Sequence, residues 1–211
     1  MAGQGTHIRF AVDLIEKLAP VDIKKYLSGT VYPDSRYLTK INRDLTHPKG
    51  FLEDKSFFAD DFKKGWYLHL LCDQLQINVI KDEFPQLFVD GNEAVYGNDL
   101  WVSLTAIKFI QDMEDMKCFP IGAYLQYLDC VQNPNGEDIS ILKKYYRLVH
   151  NMYIDSLGTL LEPKYQFFLK VSSDPKVVDK CRRQVNLYLK DAEMISTISG
   201  VLRKMIERVS F

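Results

Sequence analysis

Apolar residues recur every three or four positions along most of this chain, which is the spacing of one face of an α-helix. In the last long segment the residues that share one side are Val178, Cys181, Val185, Leu189, Ala192, Ile195, Ile198 and Leu202. Helical spacing also runs through residues 7–18, 60–80, 100–116, 139–161 and 177–209. Few segments alternate apolar and polar residues as half-buried strands do, and no unit repeats at a period of about 20 to 50 residues. We therefore predict an all-α fold of roughly six to eight helices in one domain spanning residues 1–211.

The composition fits one globular core and gives no sign of a general polyanion binder. Of the 211 residues, 46% are hydrophobic and 26% are charged, which is ordinary for a globular domain. Twenty-seven Lys and Arg residues against 28 Asp and Glu residues give a formal net charge of −1. Such a balance provides no overall attraction to nucleic acid or to an anionic membrane. We expect no binding to double-stranded nucleic acid.

No membrane segment or targeting signal is visible in the sequence. Every apolar run falls short of the roughly 18 residues that a bilayer crossing needs. The first ten residues, MAGQGTHIRF, lack the apolar core and the small-residue cleavage site of a secretion signal. The four widely spaced cysteines form no C-x-x-C pair, so we expect them to be reduced. These features predict a cytoplasmic protein without a transmembrane segment.

Histidine is scarce, and three of the four residues fall in the first third of the chain. These are His7, His47 and His69. His69 and Asp73 are four residues apart in the apolar run GWYLHLLCDQL, so both side chains lie on one helix face. A buried carboxylate needs a positive partner or a metal, and imidazole with carboxylate is a donor set typical of zinc and other first-row metals. His7, His47 and Asp34 could complete such a site from separate segments.

A structural interpretation of the same residues stays open. One H-x-x-x-D spacing is a common helical coincidence, and His69 with Asp73 could form a simple hydrogen-bonded pair. His47 falls in a polar loop before Pro48, where helical geometry is disfavoured. Asp34 could be an ordinary turn residue after Pro33, with Gly29 as the stop of the preceding short helix. Only the combination of these residues favours a functional site.

Four short motifs in the first third of the chain carry a family resemblance. They are GTHIRFA at residues 5–11, GTVYPD at 29–34, RDLTH at 43–47 and GWYLHLLCD at 65–73. Their order resembles the N-terminal region of the zinc-dependent phospholipase C family, in particular its small cytoplasmic bacterial branch. The resemblance covers roughly residues 5–75, and the remaining two-thirds of the chain carries no motif that aligns.

The resemblance implies a metal cluster inside an all-α architecture shared with single-strand nucleases. By position in the motifs, the implied ligands are His7, Asp34, His47, His69 and Asp73. The family's secreted enzymes and the related nucleases also carry a later H-x-x-x-E helix and use the amino group of the mature N-terminal residue. Here the only later histidine is His150, with Ile154 in the fourth place. We therefore expect one or two divalent ions, with zinc preferred, rather than a full three-metal site.

The first functional hypothesis is a metal-dependent phosphoester hydrolase. A bound zinc ion lowers the pKa of water toward about 7 and polarises a phosphoryl oxygen. Asp34 would then be a ligand or the base that orients the attacking water. Arg36 and Arg43, close in sequence to Asp34 and His47, are candidates for binding the phosphate. The substrate could be a phospholipid or a soluble phosphoester.

The second hypothesis is a helical ligand-binding or protein-binding module that keeps part of a metal site without turnover. The absence of the family's later ligands favours it, and twelve Tyr and twelve Phe residues could supply a partner surface. Metal content together with activity separates the two hypotheses. The sequence does not fix the oligomeric state.

Overall fold

The computed structural model describes residues 3–91, 93–154, 161–172 and 174–210, and over these ranges it contains helices and loops but no strand. The all-α prediction is confirmed. The α-helices are α1 (Gln4–Asp13), α2 (Ile15–Leu18), α3 (Ile23–Val31), α4 (Arg36–Thr39), α5 (Arg43–Thr46), α6 (Asp61–Glu83), α7 (Asp99–Met116), α8 (Gly122–Leu125), α9 (Ile139–Ile154), α10 (Leu161–Ser172), α11 (Pro175–Tyr188), α12 (Ala192–Ser199) and α13 (Val201–Glu207). Three 3₁₀ helices join them, at Tyr32–Ser35, Lys55–Phe58 and Pro85–Gly91.

The chain is divided into more helices than we predicted. The segments at 60–80 and 100–116 form the single helices α6 and α7, but the segment at 177–209 forms α11, α12 and α13. One break falls before α12, where the Asp191 side chain accepts a hydrogen bond from the Met194 amide, as N-cap residues do. Within the predicted helix at 139–161, residues 155–160 lie outside the described part of the chain. The segment at 7–18 breaks at Leu14, between α1 and α2.

Helices α3 and α6 cross with their backbones in direct contact. A Cβ atom added to Gly29 would lie 2.0 Å from the carbonyl oxygen of Phe62, and one added to Gly65 would lie 1.9 Å from that of Tyr26. Only glycine allows such an approach. The prediction that Gly29 ends a helix is therefore wrong. This residue lies inside α3 and allows the α6 backbone to approach closely.

The N-terminus of α1 is capped by a residue from α7. Gly3 precedes α1 and offers no side chain, and the Thr6 amide instead donates to Oδ1 of Asp112 at 2.6 Å. The Tyr153 hydroxyl donates to the other carboxylate oxygen at 2.8 Å, and the Lys164 ammonium forms an ion pair with it. Asp112 is fully buried. This network fixes the start of α1, the helix that carries His7.

In the described part of the chain, no helix is both long and apolar enough to cross a membrane. Cys72, Cys118, Cys130 and Cys181 are all free thiols, and two of them, Cys72 and Cys181, are buried.

Candidate metal centre

The structure brings the five predicted ligand residues together. His7 comes from α1, Asp34 from the 3₁₀ helix after α3, His47 from the residue after α5, and His69 and Asp73 from one face of α6. They form two overlapping groups, one of His7, Asp34 and His69, the other of His47, His69 and Asp73, and in each group the possible ligand atoms lie within 4.8 Å of one another. Either group could hold a metal ion.

The Asp73 carboxylate is the point on which three imidazoles converge. His7 Nε2 lies 3.7 Å from Oδ1 of Asp73. The Nε2 atoms of His47 and His69 each lie 3.7 Å from Oδ2. These separations are too long for hydrogen bonds and suit donor atoms that surround a common centre.

Several atoms of this cluster are buried without a hydrogen-bond partner in the part of the chain that the structure describes. They are both ring nitrogens of His7, Nε2 of His69 and Oδ1 of Asp73. Buried polar atoms are normally satisfied, so a group of unsatisfied nitrogen and oxygen donors aimed at one space fits a metal ion.

The backbone of α3 fixes the tautomer of His69. Its Nδ1 lies 2.8 Å from the carbonyl oxygen of Thr30. A carbonyl oxygen only accepts, so Nδ1 carries the hydrogen and Nε2 keeps its lone pair toward the cluster. Metal-binding histidines usually have this second contact, because it orients the ring and raises its basicity.

Thr46 fixes His47 in the same way. The Thr46 hydroxyl lies 3.2 Å from the carbonyl oxygen of Arg43, to which it donates. It therefore accepts from Nδ1 of His47, which is 2.9 Å away, and Nε2 is left as the donor atom for a cation. His47 itself has left helical geometry, with φ −131° and ψ 64°, in line with its place before Pro48.

His7 and Asp34 are held by packing and by one amide. The His7 ring stacks on that of His69, with ring centres 3.9 Å apart and planes inclined by 16°. The Gln4 amide donates to Oδ2 of Asp34 at 3.1 Å. Both side chains are buried, so their positions are set by the fold rather than by solvent.

Burial and neighbouring charge set the protonation of the cluster. Burial, and then the His69 ring, lower the pKa of His7 well below its usual value, and burial lowers that of His69. Burial opposes the charge on Asp73, but Lys108 and the imidazoles outweigh it and hold the pKa of that carboxyl well below its ordinary range. At neutral pH the lowered pKa values leave His7 and His69 neutral and Asp73 anionic, the forms that bind metals.

A cavity of about 410 Å³ adjoins the cluster and is rich in positive charge. The predicted phosphate-binding residues Arg36 and Arg43 both line it, together with Lys108. Its other lining residues are Asp34, Tyr37, His47, Asp73, Ile77, Ala94, Trp101, Leu104 and Thr105. A cavity of this size accommodates a small molecule.

Lys108 and Trp101 were not predicted as site residues. Both lie on α7, outside the region of the family motifs, and Nζ of Lys108 is 3.7 Å from Oδ1 of Asp73. The available signal was a charge on an apolar helix face: Trp101, Leu104, Thr105 and Lys108 share helical spacing. A lysine in such a stripe indicates a nearby carboxylate or ligand.

The structure keeps His150 apart from the cluster. It lines a separate groove on α9 with Lys143 and Arg147 and belongs to neither group of candidate ligands. Comparison with known proteins adds no relative: no protein-family model, no curated protein and no solved structure matches this chain.

Proposed function

We propose that this protein is a metal-dependent phosphoester hydrolase. The observation that carries the proposal is the convergence of three imidazoles and two carboxylates, with unsatisfied donor atoms, beside a cavity lined by three cationic side chains. A metal centre next to a positively charged pocket suits phosphoryl transfer to water, because the metal activates the water and the cations bind the phosphate. The order of the four sequence motifs supports the same reaction class.

The proposed cofactor is one divalent ion, with zinc preferred. Each ligand group supplies three donors from histidine and carboxylate side chains, and catalytic zinc is commonly held by three such donors with a fourth position left open. The two ligand groups share His69, whose single available nitrogen binds one ion. On the Oδ1 side of Asp73 the Lys108 ammonium already supplies a positive charge at 3.7 Å, which opposes a second cation there.

The metal, when bound, would supply a water of lowered pKa and a Lewis acid for a phosphoryl oxygen. The protein's own residues would do the rest. Asp34, oriented by Gln4, is placed to act as a ligand or to accept a proton from water at the cavity wall. The guanidinium groups of Arg36 and Arg43 would bind phosphate oxygens and hold the phosphorus in place.

We extend the proposal to family and setting. The motifs support membership in the zinc-dependent phospholipase C family, a helical architecture of that type, and a cytoplasmic bacterial protein. The substrate would be a phospholipid or a soluble phosphoester. No later H-x-x-x-E motif is present in the sequence, because the one later histidine, His150, has Ile154 in the fourth place, and this supports fewer ions than in the secreted enzymes.

Hydrolysis of chromogenic phosphoesters by metal-reconstituted protein tests the reaction class. Protein stripped with a chelator is supplied with zinc, manganese or iron, and release of 4-nitrophenol from 4-nitrophenyl phosphate and bis(4-nitrophenyl) phosphate is followed. We expect turnover that depends on metal and falls at least about 100-fold in His47→Ala, while His150→Ala keeps it. Full metal occupancy without turnover of either ester would overturn the proposal that the protein is a hydrolase and would favour the inactive binding module.

A further inference from the structure

The cavity beside the metal centre carries more positive charge than its carboxylates balance. Its lining includes Arg36, Arg43 and Lys108 against Asp34 and Asp73. Among the described lining residues, three cations and two carboxylates leave one excess positive charge, and a divalent ion raises the excess to three. Uncompensated charge around a small cavity indicates an anionic ligand.

The two arginines are free to bind an anion. In the described part of the chain, neither Arg36 nor Arg43 has a carboxylate within 4.0 Å, although several other arginines do. Arg36 stacks on Tyr37 with its guanidinium carbon 4.0 Å from the ring centre, and its Nη2 donates to the Tyr37 hydroxyl at 2.6 Å. Its Nε is buried and has no hydrogen-bond partner among the described residues. The guanidinium is thus held in place with donor capacity to spare.

Lys108 adds a fixed third cation. Its side chain is 14% exposed, and the one carboxylate found within 4.0 Å of its Nζ among the described residues is Asp73, at 3.7 Å. That separation gives attraction without a hydrogen bond, and the described residues accept no hydrogen bond from this ammonium, which leaves it available to a ligand. Trp101 and Leu104 from the same helix form an apolar wall of the cavity, where the organic part of a ligand would pack.

We infer that this site selects a phosphomonoester over a phosphodiester, with Arg36, Arg43 and Lys108 binding a terminal phosphate that carries two negative charges. The inference rests on the proposed function and narrows its substrate class, because it excludes phospholipids whose phosphate is a diester. A dianion balances two of the three excess charges of the metal-loaded site, and a diester balances one. The dianion also has three terminal oxygens, enough to engage the metal and the cations together.

A binding experiment tests the charge selection without turnover. The probes are phenylphosphonate and its monomethyl ester, which share the phenyl group and differ by one negative charge when the pH is high enough to ionise both fully. Isothermal titration calorimetry on the metal-loaded protein should show the phosphonate binding at least about tenfold more tightly than the ester. Equal affinities would overturn the inference.

Variants assign the selection to Lys108. Lys108→Met should lower the ratio of phosphonate affinity to ester affinity at least about threefold while metal content is retained. Lys108→Arg should restore the native ratio. Lys117→Met is the matched control, because this residue follows the same helix but is 60% exposed and pairs with Glu114. An unchanged ratio in Lys108→Met would overturn the role of this residue.

The kinetic outcome separates this inference from the proposed function. A metal-loaded enzyme that hydrolyses bis(4-nitrophenyl) phosphate with a higher kcat/KM than 4-nitrophenyl phosphate would overturn the inferred selection of monoesters. The proposed hydrolase function would stand. Selective phosphonate binding by a protein that hydrolyses neither ester would overturn the hydrolase and leave a binding site for phosphate monoesters standing.

Discussion

The imidazole of His69 is held by the carbonyl oxygen of Thr30, 2.8 Å from its Nδ1. Thr30 follows Gly29, and His69 lies one turn after Gly65, the two glycines at which the backbones of α3 and α6 touch. The helix crossing therefore does more than fill the core. It sets the tautomer of the histidine that both ligand groups share.

Gly29→Ala should destabilise the protein by at least about 2 kcal/mol, because a methyl group there meets the Phe62 carbonyl oxygen and overpacking of a core commonly costs about 1–3 kcal/mol. Urea unfolding followed by circular dichroism measures the change. Gly122→Ala is the matched control, since its Cβ would meet nothing within 4 Å. Equal stability of the two variants would show that the close crossing is absent in solution.

Asp112→Asn should cost about 3–5 kcal/mol of unfolding free energy, because it leaves the buried Lys164 ammonium without its anion. The double variant Asp112→Asn with Lys164→Met should recover part of that loss, since it removes the unpaired charge. Denaturant unfolding of the single and double variants gives both values. A single variant as stable as the native protein would contradict the capping network described for α1.

Asp115 should make the protein less stable as the pH rises. Burial, with a further contribution from Asp112, raises the pKa of the Asp115 carboxyl from its ordinary value of 3.8 to about 7. Between these values the folded state binds more protons than the unfolded state, so the unfolding free energy falls with increasing pH. Above about pH 7 the fall levels off.

Asp115→Asn removes this titration and keeps an acceptor for the Thr6 hydroxyl, which lies 2.8 Å from Oδ2. We expect the unfolding free energy of the variant, measured relative to that of the native protein, to increase as the pH rises from 5 to 8. Urea unfolding at both pH values, with a chelator present in every sample, isolates the effect from metal binding. A stability difference that does not change with pH would rule out the raised pKa.

The helices, and the placement of His69 with Asp73 among the candidate ligands, could be predicted from the sequence because each has a local signal. The apolar spacing of residues 60–80 and 100–116 marks α6 and α7, and the i, i+4 spacing of His69 and Asp73 puts both on one face. The helix breaks also have local causes, such as the capping side chain of Asp191. They were not predicted because the apolar spacing continues across them.

Other features depend on contacts between distant segments and have no local signal. In the sequence Gly29 resembles a helix stop, and only its contact with the Phe62 backbone shows that it lies at a helix crossing. The donor atom that His69 offers depends on the Thr30 carbonyl oxygen, 39 residues earlier in the chain. Lys108 joins the site only because its side chain extends from α7 to within 3.7 Å of Asp73 on α6, and a lysine on an apolar face does not by itself identify its carboxylate partner.

The most direct measurement is the metal content of untagged protein, by elemental analysis, beside the variants His69→Ala and His150→Ala. We predict about one equivalent of metal per chain in the native protein and in His150→Ala, and its loss in His69→Ala. Native protein that binds no metal after incubation with zinc, manganese or iron, or a His69→Ala variant that keeps a full equivalent, would contradict the metal centre.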